Sequence, residues 1–272
     1  MTQLLPPRSA VWPLGVVLLA ATLLPWGVSA ETTPPEGPLV SMEVLSRPHD
    51  GGTRVGLRYR ITPGWHIYWE NPGDSGMATS ASVTTSDGVT HSALQFPGPV
   101  AFEADGLVGY GYGGEGMLFL DLPPGTSGEV LVSSRWLVCR EICQPESAEV
   151  RLDVTGRDDG AGMARFESTL PRAIEESDGV TVRRRAGTLV VTVSGAASAT
   201  LFPSVELEAA LGGKRPSFLS EEIVNSDAVL ALRANLSGPS ADGALHGVLR
   251  VDRATGPTFF ALTAPPSPRS DP

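Results

Sequence analysis

Cysteine is almost absent from this sequence: of 272 residues, only Cys139 and Cys143 carry a thiol. Two cysteines are far too few for a disulfide scaffold, and a chain of this length has enough core to fold without a staple. Positive charge is scarce as well. The formal net charge is −10, and Arg183-Arg184-Arg185 is the only basic run. Phosphate contacts need a basic footprint, so no nucleic-acid partner is expected; the triplet reads as a solvated strand end. Past residue 30 no apolar run reaches the ~18 residues that a membrane-spanning helix needs, and the mature chain is expected to be soluble. Histidine is limited to His49, His66, His91 and His246, none at ligand spacing to the cysteines. A closed zinc site takes four ligands, so neither a metal nor any other cofactor is expected. A Cys–His hydrolase is disfavoured because a single thiolate would not need its neighbour.

What is present begins with an export signal. Arg8 precedes an apolar stretch from Ala10 through Leu24, which ends in Val28-Ser29-Ala30, a small-x-small pattern. Residues 1–30 are therefore expected to be a secretory signal peptide cleaved after Ala30, placing the protein in the periplasm. Residues 31–37 read as a disordered leader. Period-two alternation follows at Val40, Met42 and Val44, at Val55, Leu57, Tyr59 and Ile61, at Val130 and Val132 toward Trp136, and at Val150, Leu152 and Val154. Gly/Pro turns such as Asp50-Gly51-Gly52, Asn71-Pro72-Gly73-Asp74 and Pro123-Pro124-Gly125 separate these runs. Short strands with such punctuation predict an antiparallel sandwich or barrel. The glycine-rich stretch 156–162 reads as a linker, and Met163, Phe166, Leu170 and Ile174 fall at helical spacing after it. Strands are expected again near Val180, Leu189 to Val193, Val229, Val248 and Phe259 to Leu262. The expected layout is thus all-β, with a first domain over 38–155 and a cysteine-free second domain over 163–264. The tail at Pro265-Pro266-Ser267-Pro268 is expected to be disordered.

The chemistry centres on the cysteine pair. Residues four apart in a straight strand lie about 13 Å apart at ~3.3 Å rise, whereas a disulfide needs Cα atoms roughly 4.4–6.8 Å apart. The chain must turn at Arg140-Glu141-Ile142 if the pair closes, with both sulfurs near the mouth of the turn. Such a short loop yields only about 2 kcal/mol in the chain-entropy model, so a bridge meant for stability would span more chain. A turn-borne pair suits exchange chemistry. The residues alone leave exchange and structural bridging both open. Arg140 would favour a thiolate and Glu141 would oppose it, so local charge does not say which thiol attacks.

The segment Trp136-Leu137-Val138-Cys139-Arg140-Glu141-Ile142-Cys143-Gln144-Pro145-Glu146 closely resembles the active-site segment of the periplasmic N-terminal domain of the thiol:disulfide interchange protein DsbD and its ScsB-like relatives. Gly64-Trp65-His66-Ile67-Tyr68-Trp69-Glu70-Asn71-Pro72-Gly73-Asp74-Ser75-Gly76 and Gly109-Tyr110-Gly111-Tyr112-Gly113 look like two further signatures, in the same order. The resemblance implies immunoglobulin-like sandwiches and a redox-active Cys139/Cys143 pair. It implies a membrane-embedded thiol reductase as electron donor, periplasmic disulfide-bearing proteins as acceptors, and a link to cytochrome c biogenesis. It makes Tyr110, Tyr112 and Trp136 candidates for shielding the sulfurs. Trp65, Tyr68 and Trp69 read first as core packing, His66 as a structural histidine, and Asn71 to Gly76 as a turn. Well-known members of the family continue into a membrane domain and a thioredoxin-like domain that these 272 residues do not contain, so a separate electron source is expected. The rival readings are a non-catalytic binding or chaperone-like module with a structural disulfide, and an inactive assembly factor beside a membrane reductase.

Overall fold

Alternation of apolar and polar residues puts more than half of the described residues into strands. The computed structural model describes residues 37–264 apart from 105, 186, 215–218, 225–226 and 239–242. The expected signal peptide, the leader up to residue 36 and the tail beyond 264 lie outside the described residues. The N-terminal sandwich holds β1 (Val40–His49), β2 (Gly52–Ile61), β3 (His66–Gly73), β4 (Ser80–Thr84), β5 (Thr90–His91), β6 (Val100–Ala104), β7 (Leu107–Gly113), β8 (Glu115–Leu122), β9 (Glu129–Cys139) and β10 (Cys143–Asp153). One sheet runs β1-β2-β8; the other runs β5-β4-β9-β3-β7-β6, with β10 paired to β9. All pairings among these strands are antiparallel. The β1–β2 hairpin turns through Asp50 and Gly51, at φ 48° and 78°. Those left-handed values are what a two-residue primed turn needs and what Asp-Gly tolerates.

The inner faces are set by the period of two. On β9, Val130, Val132, Ser134, Trp136 and Val138 are buried; on β2, Val55, Leu57 and Tyr59 meet them from the opposite sheet. Tyr59 brings a polar tip into this core. Its hydroxyl lies 2.8 Å from Ser134 Oγ, which donates to Ser80 O at 2.9 Å. Burial outweighs that bond and pushes the phenol far up, so Tyr59 is neutral.

The C-terminal sandwich holds β11 (Val180–Arg185), β12 (Thr188–Ser194), β13 (Ser198–Pro203), β14 (Leu219–Val224), β15 (Asp227–Asn235), β16 (Leu245–Arg253) and β17 (Gly256–Ala264). Its sheets run β11-β12-β15-β14 and β13-β16-β17. A core of Leu189, Val191, Val193, Leu232, Leu249, Val251 and Phe260 fills it. Among the described residues, two α-helices accompany the strands: α1 (Gly160–Glu167) and α2 (Val205–Ala210). The glycine-rich stretch read as a linker is partly anchored. Asp159 N–H donates to Ser46 O at 2.8 Å, and Asp159 Oδ2 accepts from Ser46 N–H at 3.0 Å. Helix α1 then packs Met163, with Phe166 and Leu170 following, onto Leu45, Met117 and Phe119 of the N-terminal sandwich.

The sandwiches interlock. Phe202, Val248 and Phe259 extend the N-terminal core, with Phe202 meeting Trp69 and Tyr110 edge-on. Asn71, only 2% exposed, donates from Nδ2 to Pro203 O at 2.9 Å and to Glu208 Oε2 at 2.6 Å. Its Oδ1 accepts from Gly73 N–H at 3.0 Å. The segment expected to be a simple turn is therefore also the clasp between the sandwiches.

Candidate functional site: the disulfide cavity

Strand β9 ends at Cys139 and β10 begins at Cys143, and the two cysteines are register partners across the hairpin. Arg140-Glu141-Ile142 makes the turn, closed by Arg140 N–H donating to Ile142 O at 3.1 Å. The sulfurs are bonded to each other, with Cα atoms 4.1 Å apart. Cys139 is 1% exposed, whereas Cys143 is exposed at the rim. Ile142 projects beside it at 63% exposure.

The pair opens onto a cavity of about 370 Å³, walled by His66, Tyr68, Phe102, Leu107 and Gly109 together with Arg140 and Glu141 of the turn. Each wall residue is placed by strand alternation. On β3, Ile67 and Trp69 point into the core, so His66 and Tyr68 point out onto the cavity. His66 is the register partner of Cys139 on one side and of Gly113 on the other. Its ring stacks on Phe102, with centroids 4.3 Å apart and planes at 19°. It meets Tyr68 edge-on at 5.2 Å, and Nε2 lies 3.3 Å from the Tyr68 hydroxyl. Burial lowers the His66 pKa from its ordinary value and raises that of Tyr68. The Arg140 guanidinium lies over the Trp65 ring, 5.2 Å from its centroid.

The residues expected to shield the sulfurs are placed elsewhere. Tyr110 is 3% exposed and sits in the core against Trp69. Tyr112 is also in the core, and its hydroxyl donates to Pro97 O at 2.8 Å. Trp136 is 1% exposed and packs edge-on against Tyr59 on the inner face of β9. The reason in each case is alternation. Trp136 is an odd number of positions from Cys139, and the tyrosines of the Gly-Tyr-Gly-Tyr-Gly run share a face opposite its glycines. Those glycines face the wall, where an added Cβ on Gly109 would stand 3.2 Å from the Tyr68 ring. His66, Tyr68 and Phe102 take the shielding position instead. Phe102 lies in Val-Ala-Phe-Glu-Ala, with no motif to mark it; only its register with Gly109 brings it to the site.

Comparison with known proteins agrees with this geometry. Residues 36–155 match the family model of the thiol:disulfide interchange protein DsbD, N-terminal. The crystal structure of the N-terminal periplasmic domain of ScsB from Proteus mirabilis superposes with a TM-score of 0.59 at 14% identity, covering 86% of this chain and 97% of that one. The DsbD N-terminal domain of Neisseria meningitidis in the reduced form gives a TM-score of 0.31 at 14% identity, over 43% of this chain and 86% of that one. No curated protein matches the chain. The ScsB likeness extends the fold across both sandwiches, and both are immunoglobulin-like. With the cysteine hairpin inside the matched segment, residues 36–155 form a domain like the N-terminal domain of the thiol:disulfide interchange family of DsbD and ScsB.

Proposed function

We propose that this chain is a periplasmic thiol:disulfide exchange protein whose Cys139/Cys143 pair cycles between dithiol and disulfide. It takes reducing equivalents from a membrane-embedded thiol reductase and passes them to disulfide-bearing periplasmic proteins. The observation that carries this reading is the asymmetry of the pair at the cavity: one cysteine exposed at the rim, the other buried beneath it. Exchange proceeds through a mixed disulfide on an accessible sulfur, which the second sulfur then resolves. Cys143 is the sulfur that joins the partner, and Cys139 is the resolving one. A structural staple needs no such asymmetry, and a loop this short gives about 2 kcal/mol.

The test is redox titration in glutathione buffers together with trapping. A Cys139→Ser variant should hold a stable mixed disulfide at Cys143. A potential well below about −300 mV, the structural range, with no trapped species would overturn the reading.

A further inference from the structure

Exchange uses two sulfurs and leaves the imidazole beside them unassigned. His66 and Cys139 are directly opposite in an antiparallel pair, so their side chains share a face with Cβ atoms about 4.5–5.5 Å apart. The ring is not free to swing away: Phe102 stacks on one side, Tyr68 meets it edge-on, and Nε2 is held by the Tyr68 hydroxyl. Among the described residues, the other titratable or charged groups of the cavity are Tyr68 on β3, Arg140 and Glu141 in the turn, and the cysteines themselves. Arg140 is drawn onto Trp65.

A resolving thiol must lose its proton, because the thiolate is the nucleophile. Cys139 is only 1% exposed, so a base on the cavity wall is better placed than bulk water to take that proton. We propose that His66 accepts the proton of Cys139 in the resolving step, an inference that rests on the exchange reading above. The partner begins as a disulfide, and Cys143 thiolate has attacked it to give the mixed disulfide. The Cys139 S–H proton passes to an imidazole nitrogen. The thiolate attacks Cys143 Sγ, forming the Cys139–Cys143 bond as the bond from Cys143 to the partner sulfur breaks. The electron pair leaves with that sulfur, which takes a proton from the imidazolium or from water. The protein dithiol is oxidised, the partner disulfide is reduced, and no further reagent is needed. Burial supports the role by keeping His66 neutral, and so able to accept, at neutral pH.

The test mixes reduced protein with glutathione disulfide, quenches in acid at intervals and follows the Cys143 adduct by mass. In His66→Gln, which keeps a polar side chain at the wall, the adduct should form at the wild-type rate. It should resolve on the order of 100-fold more slowly at pH 7, the usual contribution of a positioned base. That deficit should shrink as pH rises and hydroxide replaces the imidazole. Leu107→Ala, which disturbs the wall but leaves the imidazole and its ring partners in place, should resolve near the wild-type rate. Wild-type resolution with a wild-type pH profile in His66→Gln overturns the inference while leaving exchange intact. So does Leu107→Ala being as slow as His66→Gln, which would assign the loss to packing. Absence of any adduct in Cys139→Ser removes the exchange reading itself, and the inference with it.

Discussion

Trp136 donates its indole N–H to Glu146 Oε2 at 3.2 Å, directly across the β9–β10 hairpin. The same carboxylate accepts from the backbone N–H groups of Leu39 and Val40, at 2.9 and 3.2 Å. One side chain thus pins the first strand, the core tryptophan and the strand that carries Cys143. The hairpin's position is fixed from behind, on the face away from the sulfurs. Glu146→Ala should cost about 2–4 kcal/mol, since three donors lose a charged acceptor; Trp136→Phe should cost less. Urea denaturation of both variants measures it, and equal stabilities would show that the three bonds carry no weight.

The Tyr59–Ser134 pair should behave asymmetrically. Ser134 Oγ donates to Ser80 O, so it accepts from the Tyr59 hydroxyl. Ser134→Ala strands a buried donor and should cost about 2 kcal/mol; Tyr59→Phe leaves Ser134 satisfied and should cost about 1 kcal/mol. A double-mutant cycle with a coupling energy near zero contradicts the bond.

Asn71→Ala should loosen the join between the sandwiches, at about 2 kcal/mol. Asn71→Asp should be worse at neutral pH, because it sets a second carboxylate against Glu208 and an acceptor against Pro203 O. Limited proteolysis across the 156–162 stretch reads the loosening directly, and an unchanged cleavage rate in both variants argues that the clasp is idle.

His66 makes a pH prediction for stability as well as for rate. Its folded pKa is lowered by burial, so below the ordinary value of 6.5 the unfolded chain binds a proton that the folded chain resists. Stability from this group is complete above pH 6.5 and is lost as the pH falls toward the lowered value. The thermal midpoint should fall across that window in the wild type and fall less in His66→Gln. Identical slopes in differential scanning calorimetry would refute it.

Phe102→Ala removes the ring stacked on His66 and opens one wall of the cavity. Reduction of the disulfide by dithiothreitol should become faster, followed by thiol labelling. A slower or unchanged rate would show that Phe102 does not limit access.

Much of the fold was legible because alternation and turn chemistry agree. Val55, Leu57 and Tyr59 face inward as their period implies, and Asp50-Gly51 turns as its sequence demands. The cysteine turn was legible from distance alone. The cavity wall was not. Trp65 to Trp69 is apolar or aromatic at every position, so its period is invisible, and nothing local says that His66 and Tyr68 face away from the core. Gly109 to Gly113 alternates cleanly, but alternation does not state which face is inside. That choice is made by Trp69 and Phe202, which claim Tyr110 for the core from strands remote in sequence.

The bare face of β7 has a consequence for how such a site can diversify. An added Cβ on Gly111 would lie 1.9 Å from Ile67 O, and one on Gly109 would press on Tyr68 and on Pro72 O. The rings of the wall therefore rest on peptide backbone there, and Gly109 and Gly111 are closed to any new functional group. Variation in the chemistry around the sulfurs is channelled to β3, β6, Leu107 and the three residues of the turn. A library aimed at retuning this pocket gains by randomising those positions and leaving the glycines alone.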